Sequence, residues 1–189
     1  MNVIAIVGLE TIKDEHGNIK VFSETFLNNI KTYKKDNPGR TLKIFDARIY
    51  KEFESPIKSL WKDMAEVYGV EGIDLILYSG HSDSERLYWV SKTRTELADE
   101  DRFIDANNEW NFKFNKSAKI QLMGCQTGGQ RGQKWPNCIA QSIADKSGVE
   151  VLAFVSKSAQ QKKKNGYYQI PDYNGYVKFT PNEVVKEII

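Results

Sequence analysis

Histidine and cysteine are the scarce residues of this 189-residue chain: it has two of each, His16 and His81, Cys125 and Cys138. Two cysteines cannot build a disulfide framework, so the default expectation is a reduced compartment. A zinc site drawn from His81, Cys125, Cys138 and His16 has no ligand spacing behind it, and no metal or other cofactor is expected. An excess of one charge is missing too. The net charge of +2 gives no electrostatic reason to expect nucleic acid or a membrane surface as partner. No run approaches the roughly 18 consecutive apolar residues of a spanning helix. "MNVIAIVGLE" lacks a basic leader and a small-residue cleavage site, and reads as a first strand rather than a signal peptide. The expected location is therefore cytoplasmic, although a signal-independent export route is compatible with the same letters. "GLETIKDEHG" lacks the glycine-rich loop that cradles phosphates, which argues against nucleotide binding.

What is present suits one domain of ordinary size. Apolar residues make up 40% and aromatics 12%, enough for a core. "VIAIV" (3–7) is an apolar, β-branched run of the kind buried on both faces of a sheet. In "VFSETFLNNIKTYKK", Phe22, Phe26, Ile30 and Tyr33 recur at helical spacing until "NPGR" (37–40) breaks the chain. "LKIFDA" (42–47) predicts a second strand. Ser55-Pro56 predicts a helix start, and Ile57, Leu60, Trp61, Met64 and Tyr68 form an apolar stripe that Gly69 stops. "IDLILYSG" (73–80) predicts a third strand, which ends on His81. "RLYWVSK" (86–92) alternates like a short antiparallel strand, and "DRFIDANNEWNF" (101–112) is a candidate helix. "AKIQLMG" (118–124) predicts a fourth strand, ending on Cys125. Pro136 with Ile139, Ala140, Ile143 and Ala144 marks a helix that stops near Gly148, with Cys138 at its start as a core residue. "VEVLAFVS" (149–156) predicts a fifth strand, and "YYQI" and "GYVKF" late strands or an edge hairpin. Alternating strands and helices predict an α/β fold over 1–189, one domain with a mainly parallel sheet and helices on both faces.

The stretch "LILYSGHSDS" (75–84) admits two chemistries. Gly80-His81-Ser82-Asp83-Ser84 looks like most of a nucleophile elbow, which would make Ser82 the nucleophile of a serine hydrolase. In the elbow's usual order the histidine base follows the serine, and no histidine follows Ser82 here. His16 lies in a polar turn after the first strand and stands in the wrong chain order. The second chemistry takes His81 as a residue delivered by a strand end, and seeks the nucleophile at the end of another. "KIQLMGCQTGG" supplies Cys125. In open parallel sheets sites form beyond the carboxyl ends of strands, and a nearby imidazole can activate a thiol.

With "LILYSGHS" and "IQLMGCQTGG" together, the chain resembles the caspase-like cysteine peptidases, a group that includes caspases, gingipains, clostripain, separase, CHAT-domain proteins and the self-processing protease domains of large bacterial toxins. The resemblance covers roughly residues 1–158, and includes "IAQSIADKSGVEVLAFVS" as a helix leading into the next strand. His81 precedes Cys125 by 44 residues, counted from 81 to 125, against about 50 in the caspase pattern. The resemblance implies a single caspase-like domain and a cysteine endopeptidase acting on a protein or peptide substrate. It implies Cys125 as nucleophile, His81 protonating the leaving amine, and the backbone N–H groups of Ser82 and Cys125 as oxyanion donors. One departure is Ser82, where the family carries glycine. It keeps the N–H and gives up glycine's freedom at positive φ. A local side-chain-to-backbone turn in "GHSDSE" is expected to accommodate it.

Further expectations concern substrate. The resemblance implies substrate contacts after the fifth strand, so the strand end "FVSKSAQ" (154–160), with Ser156 and Lys157, is the expected substrate-pairing edge, and Asp83 is an expected selector for a basic side chain. Lys162, Lys163 and Lys164 read as a solvated loop that could take an acidic activator. The alternative in a different class is a catalytically weak or inactive pseudo-peptidase that keeps the fold as a binding module.

Overall fold

The computed structural model describes residues 1–13, 15–90, 99–130, 133–155, 163–164, 167–168 and 176–184. The first strand, β1 (Asn2–Val7), is followed by a two-stranded antiparallel ribbon, β2 (Glu10–Lys13) with β3 (Ile19–Phe22). The sequence predicts only a polar turn at "KDEHGN" (13–18) and counts Phe22 with the following helix, whereas Phe22 ends β3 and the helix begins at Glu24. The turn is there, with Gly17 at φ +81°, but the strands beside it pair only with each other and so follow no alternation set by the main core. Helix α1 (Glu24–Asp36) comes next, then β4 (Thr41–Asp46), the single turn α2 (Ala47–Tyr50) and α3 (Pro56–Val67). Helix α3 starts at the expected proline, although Ser55 makes no side-chain cap bond.

Strand β5 (Ile73–Ser79) leads into the antiparallel pair β6 (Arg86–Tyr88) and β7 (Phe103–Asp105), with the single turn α4 (Asp99–Arg102) just before β7. The helix expected over 101–112 is therefore corrected. Ile104 pairs with Leu87 and both are fully buried. Beyond it, Asp105 accepts from the Asn107 N–H at 2.8 Å and the Asn108 side chain accepts from the Asp105 N–H at 2.7 Å. Such local bonds favour a turn over a helix.

Strand β8 (Phe114–Leu122) begins earlier than the apolar pattern indicates, because Asn115, Lys116 and Ser117 interrupt that pattern. A short hairpin, β9 (Gly129–Gln130) with β10 (Gln133–Lys134), precedes α5 (Ile139–Ser147) and β11 (Glu150–Ala153). The ribbon β12 (Lys163–Lys164) with β13 (Tyr167–Tyr168) and the strand β14 (Val177–Phe179) complete the described elements.

The main sheet has the order β14-β11-β8-β5-β1-β4. All neighbours run parallel except β14, which is antiparallel to β11. Pleating sorts the core into two layers. Val3, Ala5, Val7, Leu75 and Leu77 face α1 through Phe26, Ile30 and Tyr33. Ile4, Ile6, Ile76, Tyr78, Ile120 and Leu122 face α3 and α5 through Ile57, Leu60, Met64, Ile139, Ala140 and Ile143. Helices thus cover both faces, as expected. Read by sequence, the five parallel strands lie in the order second, first, third, fourth, fifth. The order reverses between β1 and β5, and crevices form at the carboxyl ends beside such a switch point. Among the described residues no helix is long and apolar enough to cross a membrane.

Candidate functional site

Strands β5 and β8 are direct neighbours, and Tyr78 stands opposite Leu122. His81 lies three residues past Tyr78 and Cys125 three past Leu122, so the two emerge at the same level beyond the carboxyl edge of the sheet. The Met123 N–H, donating to the Tyr78 carbonyl at 2.9 Å, carries the pairing past the last ladder residue. Both His81 and Cys125 are half-buried. The His81 ring packs edge-on against Phe26 of α1, with centroids 5.0 Å apart.

The loop that carries His81 is built from its own residues. The His81 carbonyl accepts from the Tyr88 N–H at 2.9 Å and from the Tyr78 hydroxyl. That hydroxyl lies so close to Gly80 that a Cβ there would stand 2.5 Å from it, which only glycine avoids. Burial pushes the Tyr78 phenol well above its ordinary range, so it remains a donor. Asp83 Oδ1 accepts from the N–H groups of Glu85 and Arg86 at 2.8 and 2.9 Å, and Oδ2 from the Tyr88 hydroxyl at 2.8 Å. Burial and this carboxylate both raise the Tyr88 phenol. The local turn expected in "GHSDSE" is therefore present. Asp83, expected as a substrate selector, has both carboxylate oxygens in this turn.

Ser82 stands opposite Leu87 between the His81–Tyr88 and Asp83–Arg86 bonds, the latter 3.0 Å long. Flanking bonds of that kind make it a non-hydrogen-bonded pair, whose N–H points away from the partner strand. Among the described residues the non-glycine positions with positive φ are Gln126 and Asn182, so Ser82 keeps an ordinary backbone. The helix that should follow a nucleophile elbow is replaced by strand β6. His16, the other histidine, sits in the exposed tip of the β2–β3 ribbon, with Nε2 3.6 Å from Glu15.

The loop that carries Cys125 is held from outside. The Ser82 hydroxyl donates to the Cys125 carbonyl at 2.8 Å. Gly124 lies against Ser82, and a Cβ there would stand 2.0 Å from Ser82 Oγ. Gln126 is left-handed at φ 56°, and its carbonyl accepts from Gly129 at 3.1 Å. The Gly128 N–H donates to the Phe154 carbonyl at 2.7 Å. Helix α5 joins the two loops. Its first free N–H, on Ile139, donates to the Ser84 carbonyl at 2.7 Å, and the next, on Ala140, to the Thr127 carbonyl at 3.0 Å. Cys138 is its N-cap, buried, with Sγ accepting from the Gln141 N–H at 3.4 Å. Burial raises that thiol.

Among the described residues no three His, Cys, Asp or Glu side chains gather to hold a metal ion. Ser156, Lys157 and Lys162 lie outside the described residues, and Lys163 and Lys164 form β12. The sequence by itself gives Tyr78, Ser84, Thr127 and Phe26 no part in holding the site. Tyr78 carried a signal, a phenol hydroxyl at the end of the apolar run 75–78, which needs a partner when buried. The other three matter through partners that only folding supplies. No protein-family model, curated protein or solved structure matches the chain.

Proposed function

We propose that this protein is a cysteine peptidase of the caspase-like kind, with Cys125 as nucleophile and His81 as its acid–base partner. The observation that carries the proposal is the shared level of the two residues beyond adjacent parallel strands β5 and β8. In this reading the Cys125 thiol loses its proton to His81 and Sγ attacks the substrate carbonyl carbon. The oxyanion forms beside the N–H groups of Ser82 and Cys125. Ser82 suits that part because its ordinary backbone and non-hydrogen-bonded pairing leave its N–H outside the ladder. Collapse breaks the C–N bond as His81 protonates the leaving amine, and water then hydrolyses the thioester and restores the thiol. Residues 156 and 157 remain the proposed substrate edge, by the family's pattern.

A peptide-library cleavage profile of the wild type, followed by kinetics on the best substrate, tests the proposal. Cys125→Ala is expected to abolish turnover, and His81→Ala to lower it by about 10²–10⁴. Absence of cleavage by a folded wild type, or activity that survives Cys125→Ala, would overturn it. The first outcome favours the pseudo-peptidase alternative.

A further inference from the structure

We infer that the Ser82 side chain is a positioning group for Cys125, a latch that sets the peptide plane on which the thiol's own residue is carried. The catalytic consequence rests on the peptidase reading; the latch itself does not. The carbonyl that accepts the Ser82 hydroxyl at 2.8 Å belongs to the peptide between Cys125 and Gln126. Fixing that oxygen fixes ψ of Cys125 and φ of Gln126 together. Gln126 is left-handed, a conformation disfavoured for residues with a Cβ. It therefore needs to be held, and it is held from both sides. Ser82 fixes the peptide before it, and the Gly129 N–H, 3.1 Å from the Gln126 carbonyl, fixes the one after it.

The neighbouring residue is matched to the latch. Gly124 leaves the volume that Ser82 Oγ and Cβ fill, since a Cβ at 124 would meet them at 2.0 and 2.7 Å. A glycine at position 82 could supply the same backbone N–H but could neither make the bond nor fill that space. The serine thus has a use that the backbone alone does not explain, and its ordinary φ shows that no strain accompanies it.

The test compares wild type, Ser82→Ala, Ser82→Gly and Ser82→Thr, each checked by thermal melting. Two readouts are taken: kcat and KM on the substrate from the cleavage profile, and amide hydrogen exchange over residues 124–128. Loss of the hydroxyl is expected to speed exchange in 124–128 about tenfold, the weight of one hydrogen bond. It should lower kcat by a similar factor, with KM changing less than about threefold. Ser82→Thr, which keeps a hydroxyl, should restore at least part of both; a threonine too large for the space beside Gly124 would show as a lowered melting temperature, and Ser82→Ala against wild type then decides. Unchanged exchange and unchanged kcat in a folded Ser82→Ala overturn the latch. Equal damage in Ala and a normally folded Thr variant overturns the role of the hydroxyl. If the wild type cleaves nothing, the peptidase reading falls, and the exchange data decide the latch by themselves.

Discussion

The loop that bears His81 and the loop that bears Cys125 stand side by side and are built on opposite principles. The first is closed largely by partners within ten residues, with Tyr78, Asp83, Arg86 and Tyr88 satisfying one another around it, and takes from distant chain the Ile139 N–H on the Ser84 carbonyl. The second is tied to distant chain, through Ser82 at a separation of 43 residues and through a Lys134–Glu183 pair 49 residues apart that steadies the hairpin beyond it. A loop that makes its own bonds orders as soon as its strands meet. A loop that borrows them must wait for the rest of the fold, and should loosen first when any lender is removed.

The sharpest break is at the one place where the loops touch. Gly124→Ala puts a Cβ 2.0 Å from Ser82 Oγ. The expected cost is about 1–3 kcal/mol, the usual range for overpacking, with turnover in the assay of the proposed peptidase falling alongside. Combination with Ser82→Gly should recover a good part of it, so denaturant unfolding of both single variants and the double reads the contact as a coupling energy. Strict additivity would show that the clash is relieved elsewhere.

A second variant breaks only the self-made loop. Asp83→Ala removes the acceptor of Glu85, Arg86 and Tyr88 at once. A loss of about 1–2 kcal/mol is expected, since bonds to a charged group carry more than neutral ones but this carboxylate is only half-buried. Hydrogen exchange should speed up over 82–88 and stay unchanged over 126–134. Equal loosening of both loops would show that they are held as one unit.

The smallest effect is set by pH. Burial raises the Glu183 carboxyl, but the Lys134 ammonium and the Thr180 donors outweigh that and hold it below the usual carboxylate range. A carboxylate with a depressed folded pKa stabilises fully above its unfolded value of about 4.3, and that contribution is lost as pH falls through the folded value. Acidification below about pH 4 should therefore lower protection at 129–130 and 133–134, by the equivalent of about 0.2–1 kcal/mol for a pair of this exposure. Glu183→Gln should show the lowered protection already at neutral pH and lose that part of the acid response. A response unaltered in Glu183→Gln would assign it to another group.

Legibility followed the same division. Strands β1, β5 and β11 and helices α1, α3 and α5 were readable because buried elements repeat apolar residues at the period of their own geometry, whereas the exposed edge strand β4 was read from Leu42, Ile44 and Phe45, of which Phe45 is buried. Pro56 and Gly148 marked ends for local reasons: proline fits the first turn, and Gly148 takes φ +70°. The ribbon β2–β3, strand β7 and the polar start of β8 were not readable in this way. The ribbon strands and β7 pair only within two-stranded sheets, and β8 opens with Asn115, Lys116 and Ser117, which no continuous apolar face covers.

His81 and Cys125 could be named as candidates from letters alone, since each ends an apolar run and the inventory holds only two histidines and two cysteines. The turn around Asp83 was equally a property of local sequence, because its donors lie two, three and five residues away. Tertiary structure decided that β5 and β8 are adjacent and in the same register, which is what brings the two residues to one level. It also decided that the N–H groups of Ile139 and Ala140 each close a different loop, and that Ser82 holds Cys125 through a carbonyl 43 residues away. The physical reason is one of range. Propensity and turn chemistry act over a few residues, whereas strand order, register and shared helix termini depend on contacts that exist only once distant segments have packed together.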